Sequence, residues 1–208
     1  MARSSDTEQR IVDAARRLWH VRSYADVGVN EICEAADVRK GSFYHYFPAK
    51  HDLAIAVIDD HWREAYEHVV LPTRAEGGTP LERLDKLVER VGMSVRRSAD
   101  ELGVVPGCPF GNLAVELSTI DSDVRDRLVR LFADQQVVLR GLLDDAVAAG
   151  ELPAQTDTAE VARAMNAYIE GILLLAKNAN DASLVEELLP LTVRLAVPAT
   201  TPVETAAA

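Results

Sequence analysis

The 208 residues predict an all-α fold of about nine helices. Three observations lead there. Apolar residues recur three and four apart through most of the chain, and neither strand-like alternation nor a hairpin turn signal interrupts them. Helix-start residues (Asp, Thr, Asn) stand ahead of several of these stripes. The breaks between stripes coincide with Gly and Pro.

The first helix opens near Asp6 or Thr7, where Asp6 and Gln9 have capping-box spacing. Its packing face is Ile11, Ala14, Ala15 and Leu18. Two short helices follow, Asn30 to Ala36 and Lys40 to about Phe47, joined by Asp37-Val38-Arg39. Pro48 ends the second, because the residue before a proline is pushed out of the helical region. A fourth helix runs from about Lys50 to Leu71 and stops before Pro72. Glu76-Gly77-Gly78 separates it from a fifth, which starts at Thr79-Pro80 with proline in its first turn and ends between Arg97 and Asp100. Gly103, Pro106, Gly107, Pro109 and Gly111 then break regular structure ahead of a short sixth helix, Asn112 to Leu117. The seventh starts after Asp121 and reaches Ala149, with Gly150 as its stop. Val124, Leu128, Leu131, Gln135, Val138 and Leu142 lie along one of its faces. The eighth opens at Asp157 with Glu160 three residues on, and carries the stripe Val161, Met165, Tyr168, Ile172 and Leu175. The ninth spans about Ala182 to Ala196. Residues 198–208, PATTPVETAAA, have the composition of a disordered tail.

Composition bounds the function classes. The longest apolar run, Tyr168 to Ala176, is interrupted by Glu170 and Gly171 and is too short to span a bilayer. The polar opening MARSSDTEQR carries no secretory pattern, so no membrane partner and a cytoplasmic location are expected. Cys33 and Cys108 make no disulfide framework. The net charge of −11 is unevenly distributed: residues 1–50 carry eight Lys/Arg against seven Asp/Glu, and all the excess acid lies beyond. That polarity would orient the protein on a polyanion, and it equally describes a solvated acidic surface.

Residues 29–53, VNEICEAADVRKGSFYHYFPAKHDL, are the most informative stretch. The second short helix is too short to be stable alone and must be held by its neighbours. Phe43, Tyr44, His45, Tyr46 and Phe47 are consecutive, and a helix cannot bury five consecutive rings on one face. Phe43 and Phe47 read as core. The outward hydroxyl, imidazole and ammonium groups suit a reader of the major groove of double-stranded DNA.

The segment resembles the helix-turn-helix of TetR-type transcriptional regulators, whose pattern is roughly I-A-x-x-A-G-V-x-x-G-x-x-Y-x-[HY]-F-x-x-K-x-x-L. Ile32, Ala36, Val38, Gly41, Tyr44, Tyr46, Phe47, Lys50 and Leu53 match. Cys33 stands where Ala is usual and reads as core. Asp37 stands where Gly is usual and tolerates a left-handed turn better than most residues. Asn30 replaces a Thr or Ser at the helix start, and all three can cap a helix.

The resemblance implies a DNA-binding domain over 1–50, a ligand-sensing and dimerisation domain over 51–197, and an operator-bound repressor with no cofactor. Asn30, Arg39, Lys40, Gly41, Ser42, Tyr44, His45, Tyr46 and Lys50 would form the DNA surface. Tyr44 and Lys50 resemble the family's phosphate clamps, which position without reading sequence. Arg39, Lys40, Ser42 and His45 are better placed for base edges, and Gly41 would let the backbone approach the duplex. The last two long helices usually form a four-helix bundle with a second copy. Tyr168, Ile172, Leu175, Leu188, Leu191 and Leu195 are the candidate contacts, or they belong to the chain's own core.

The signal would enter through the body. If Pro109 is the first helical residue, Cys108 is an N-cap, where the helix dipole favours a thiolate. The alternative is a small buried cysteine that fits the bend. The stretch Gly107-Cys108-Pro109-Phe110-Gly111-Asn112-Leu113-Ala114, with Glu116, also resembles the GC-x-x-x-NLA-x-E segment of the subgroup containing the N-ethylmaleimide-responsive repressor. Carried over, an electrophile- and oxidant-responsive cysteine falls on Cys108, and its lysine partner on Lys177, the only lysine beyond Lys86. Trp62, Tyr66, Phe110, Asn112, Glu116 and Tyr168 could instead line a pocket for a small-molecule inducer. An enzyme is not expected: the chain has no Gly-rich phosphate loop, no nucleophile elbow and no clustered metal-ligand spacing. A helical adaptor without DNA binding would not need the outward Tyr and Lys groups. His61 and His68, seven apart, share a helical face but lack a third metal ligand.

Overall fold

The computed structural model describes residues 2–197. The expected tail, 198–208, lies outside the described residues. Its first helix, α1 (Ala2–Val21), packs on two short helices, α2 (Val29–Ala35) and α3 (Lys40–Tyr46). A long rod follows, built from α4 (Lys50–Ala65), a π-helical turn (Tyr66–Val70) and α5 (Leu71–Ala75). The body adds α6 (Pro80–Leu102), α7 (Pro109–Leu117), α8 (Ser122–Ala148), α9 (Thr158–Ala179) and α10 (Ser183–Leu188), which tightens into a 3₁₀ segment, Leu189–Leu195. Counted as rods, these are nine among the described residues. They leave no strand there, and no helix is long and apolar enough to cross a membrane.

Several boundaries depart from the sequence expectation, among them that of α7, which begins at Pro109 rather than Asn112. Helix α1 starts at Ala2, so Asp6 is interior and caps nothing. Gln9 donates instead to Asp13 and to Asp60 (3.0 and 3.1 Å). Helix α2 starts one residue earlier, capped by the backbone of Gly28, which leaves Asn30 exposed inside the first turn rather than at the cap. The fourth helix does not stop before Pro72. Proline would collide with the carbonyl four residues back in a regular α-helix. Here Leu71 N–H reaches the Tyr66 carbonyl five residues back, and this wider turn carries the rod on to Ala75. His68 falls in that turn and is exposed while His61 is half-buried against Phe110, so the two do not share a face. At the chain's end Pro190 has no N–H to donate, and the expected ninth α-helix becomes α10 plus the 3₁₀ segment.

Caps fix most other ends. Thr79 and Glu82 form a reciprocal capping box on α6 (2.9 and 3.3 Å), Asp121 accepts from Asp123 and Val124 amides at α8, and Asp157 accepts from the Glu160 amide at α9. Gly103 and Gly150 close α6 and α8 at φ of +70° and +75°. The core runs through both halves, from Ile11, Ala14 and Ala15 to Val124, Leu128, Leu131, Val138 and Leu142, all buried.

Asp60 is the polar tie between α1 and α4. It is buried and accepts from Gln9 Nε2 and Arg16 Nη1 (each 3.1 Å) and from Arg63. Arg16 also pairs with Glu64. Burial pulls the Arg16 pKa down, but Glu64 and Asp60 outweigh it and hold the guanidinium above its ordinary value.

Candidate nucleic-acid interface and the body behind it

Helix α3 is seated by Phe43 and Phe47, which are buried and touch each other at 5.9 Å between centroids. Seating those two rings fixes what points out. Arg39, Lys40, Gly41, Tyr44 and His45 are exposed; Ser42 and Tyr46 are half-buried. Tyr44 stands edge-on to Phe43 (5.2 Å), and Lys40 Nζ lies 6.0 Å from the Tyr44 ring. A methyl built on Gly41 meets nothing within 4 Å, so no contact inside the chain asks for glycine there.

The turn ahead of α3 is clamped from α1. Asp37 takes the left-handed conformation (φ +51°), as expected of the residue that replaces glycine. Arg10 Nη2 bonds the Ala36 carbonyl (2.5 Å), the Asp37 carbonyl (2.7 Å) and the Asp37 carboxylate (3.1 Å). Cys33 packs inside the head, and burial raises its thiol pKa.

Lys50 departs from its expected place. Its ammonium donates to the Tyr24 carbonyl and lies 4.0 Å from the Tyr24 ring and 5.9 Å from that of Trp19. Burial lowers its pKa, partly offset by Glu116 and Asp26. Tyr24, also desolvated and near Asp121 and Asp52, is pushed up to about 12. Lys50 is half-buried and braces the α1–α2 loop.

In the body, Cys108 is the N-cap of α7, as the Pro109 argument expected, and its Sγ accepts from the Gly111 amide at 3.4 Å. The expected thiolate does not follow. Burial and then the Glu170 carboxylate push the Cys108 pKa well up, against the weaker pull of the Gly111 and Phe110 amides. Glu170, itself desolvated, is raised too and bonds the thiol. Lys177 meets the same segment but not the sulfur. Its Nζ donates to Asn112 Oδ1 (2.7 Å), and its stem covers Gly107, where a Cβ would sit 3.0 Å from Lys177 Cδ. Gly107 has φ +75°, so both its backbone and its neighbour require glycine. Asn112 returns a bond to the Pro106 carbonyl (2.9 Å).

None of the six candidate pocket residues lines either of two cavities, a groove and a small void. Trp62 stacks edge-on with Tyr66, Phe110 is buried against His61, and Glu116 turns toward the head, accepting from the Ala25 amide at 3.3 Å. A groove of about 480 Å³ lies elsewhere, between the end of α6 and the α9–α10 turn, lined by Arg96, Asp100, Val104 and Asn180. A void of about 10 Å³ lies where α1, α4 and α7 meet.

The expected assembly face divides. Ile172 is buried in the chain's own core; Tyr168, Leu188 and Leu191 are half-buried; Leu175 and Leu195 are 54% and 44% exposed. Leu174, which sequence reasoning missed, is 63% exposed beside Leu175. Glu170 and Asp60 were also missed as functional candidates. Glu170 was visible as the carboxylate that interrupts the apolar run from Tyr168 to Ala176.

Comparison with known proteins places this arrangement. Residues 11–57 match the family described as bacterial regulatory proteins, tetR family, and residues 80–190 match the tetracyclin repressor-like C-terminal domain. An HTH-type transcriptional regulator from the lacX 3′ region of Lactococcus lactis is 31% identical, over 87% of this chain and 88% of its own. The HTH-type transcriptional repressor NemR of Escherichia coli is 26% identical, over 59% of this chain and 60% of its own. Among solved structures, a regulatory protein TetR from Rhodobacter sphaeroides superposes with a TM-score of 0.79 at 29% identity, covering 90% of this chain and 97% of that one.

Proposed function

Because the chain belongs to the TetR family of bacterial transcriptional regulators, we propose that it is a homodimeric repressor. In this reading α3 reads an operator, and a signal received at the Gly107–Asn112 segment releases it. The observation that carries the DNA half is the outward face of α3: Arg39, Lys40, Gly41, Tyr44 and His45 are exposed while Phe43 and Phe47 hold the helix in place. Arg39, Lys40, Ser42 and His45 approach base edges; Tyr44 contacts phosphate; Asn30 and Tyr46 flank. Lys50 contributes indirectly by holding the α1–α2 loop. Two heads on one duplex need a dimer, for which the exposed Leu174, Leu175 and Leu195 supply apolar surface.

Tyr44→Ala is expected to weaken binding to every sequence alike, roughly tenfold for one lost phosphate hydrogen bond. His45→Ala is expected to lose discrimination at one base position by about 1–3 kcal/mol. Titration of each variant against operator and scrambled duplex separates the two effects. Equal losses on both duplexes for both variants would remove His45 from base reading.

For the signal, the buried and protonated Cys108 favours a non-covalent inducer that loosens Gly107–Asn112, with the thiol as a packing cap. A covalent reading is favoured by the position of Cys108 at a helix N-cap and by the similarity to NemR, whose structure has been solved in a form described as reduced. The two readings part on thiol reactivity. A packing cap reacts with N-ethylmaleimide at pH 7 on the order of a hundredfold more slowly than the unfolded chain, and Cys108→Ser keeps both operator binding and induction. Rapid labelling of Cys108 accompanied by operator release, lost in Cys108→Ser, would make it a covalent sensor.

A further inference from the structure

Two half-buried histidines sit where the DNA-binding head meets the body. His20, in the last turn of α1, and His61, on α4, are 5.8 Å apart in edge-to-face contact, although 41 residues separate them. His20 donates to the Gly107 carbonyl, and His61 stands edge-on to Phe110 at 5.9 Å. Both therefore touch the segment that carries Cys108. The void of about 10 Å³ at this junction, lined by Arg16, Trp19, His20, Val57, His61, Pro109 and Leu113, has about the volume of one water probe. Trp19 is buried, and its Nε1 has no hydrogen-bond partner among the described residues.

The charges around the pair are unequal. From α1 comes Arg16; from α9 comes Lys177, near His20. The acids of α4, Asp60 and Glu64, are committed to Arg16. Helix α7 offers Pro109, Phe110 and Leu113, none of them charged, and Glu170 of α9 is bonded to the Cys108 thiol. Among the described residues, no further carboxylate acts on either imidazole.

We infer that His61, backed by His20, forms a proton-operated latch between head and body, closed when His61 is neutral and opened when it takes a proton. A proton on His61 would sit in a confined site with His20 and Arg16 as neighbours. Opening admits water, which solvates the imidazolium and gives Trp19 Nε1 a partner. Burial is the main cause that lowers both pKa values, with neighbouring charge second for His61, which falls to about 3. The sign follows. A group depressed in the closed form contributes its stability above its ordinary pKa of about 6.5 and loses it as pH falls. Below that value each proton taken up only by the open form shifts the closed-to-open ratio about tenfold per pH unit. The latch is independent of which operator or inducer the protein uses, because it depends only on the α1–α4–α7 junction.

The test uses the full chain without DNA. Trp62→Phe leaves Trp19 as the sole tryptophan, and its iodide quenching is followed from pH 8 to pH 5 alongside far-ultraviolet circular dichroism. The expected result is a rise in Trp19 quenching below about pH 6.5, at unchanged helicity. It is absent in His61→Phe, which fills the site, and in His61→Gln, which keeps a polar group; it is shallower in His20→Gln. Flat quenching to pH 5, a rise that coincides with loss of helix, or a rise that persists in both His61 variants would each overturn the latch.

Discussion

Gly41→Ala is expected to leave the fold intact, or stabilise it by up to about 1 kcal/mol, and yet cut operator affinity on the order of tenfold or more. Glycine inside a helix costs backbone entropy relative to alanine, and here nothing repays it within the chain. The added methyl meets no atom within 4 Å, and φ lies outside the left-handed region. The reason for glycine must then come from outside the chain. A duplex pressed against the first turn of α3 supplies it, since a methyl there forces Arg39, Lys40 and Tyr44 back from their contacts together. Thermal unfolding and operator titration on one preparation give both numbers. A variant that binds normally would show that α3 does not approach DNA through its first turn.

Asp60→Ala is expected to lower unfolding stability by about 2–3 kcal/mol. Removing one partner of a buried ion pair strands the other. Arg16 keeps Glu64, and Arg63 is half in solvent, so the loss stays below that of a fully orphaned charge. Gln9 also loses an acceptor (3.1 Å). Asp60→Asn, which keeps the shape and one acceptor, should lose about half as much. Urea unfolding at fixed protein concentration measures both, with a lower midpoint and an unchanged slope. Wild-type stability in Asp60→Ala would mean that apolar packing alone joins α1 to α4.

How much of this could be read from sequence follows from the range of each interaction. Helical periodicity is local, and it was enough for nine rods and for most of their buried faces, though Leu175 of the eighth stripe is exposed; it also gave the split of α3 into Phe43 and Phe47 inside and Tyr44 and His45 outside. The left-handed Asp37 and the Cys108 N-cap were legible because turn and cap chemistry is local too. Pro72 misled because a proline ordinarily ends a helix, and nothing in the residues around it announces the π-turn that accommodates it. Lys50 and Glu116 were assigned from patterns, but their partners, Tyr24 and Ala25, lie 26 and 91 residues away. The cost of burial at Cys108 could not be read locally either: the dipole that favours a thiolate is a property of one helix, whereas the desolvation and the Glu170 carboxylate that oppose it come from α9. The pairing of His20 with His61 is of the same kind.

The central claim, that this is an operator-binding repressor reading DNA through α3, is tested most directly by fluorescence anisotropy. The purified full chain is titrated onto duplex DNA from upstream of its own gene, at several salt concentrations, against a scrambled duplex. The account predicts saturable binding at least a hundredfold tighter than to the scrambled duplex, weakening steeply as salt rises, and reduced by Gly41→Ala and Tyr44→Ala. Equal affinity for both duplexes, insensitive to those two substitutions, would contradict it.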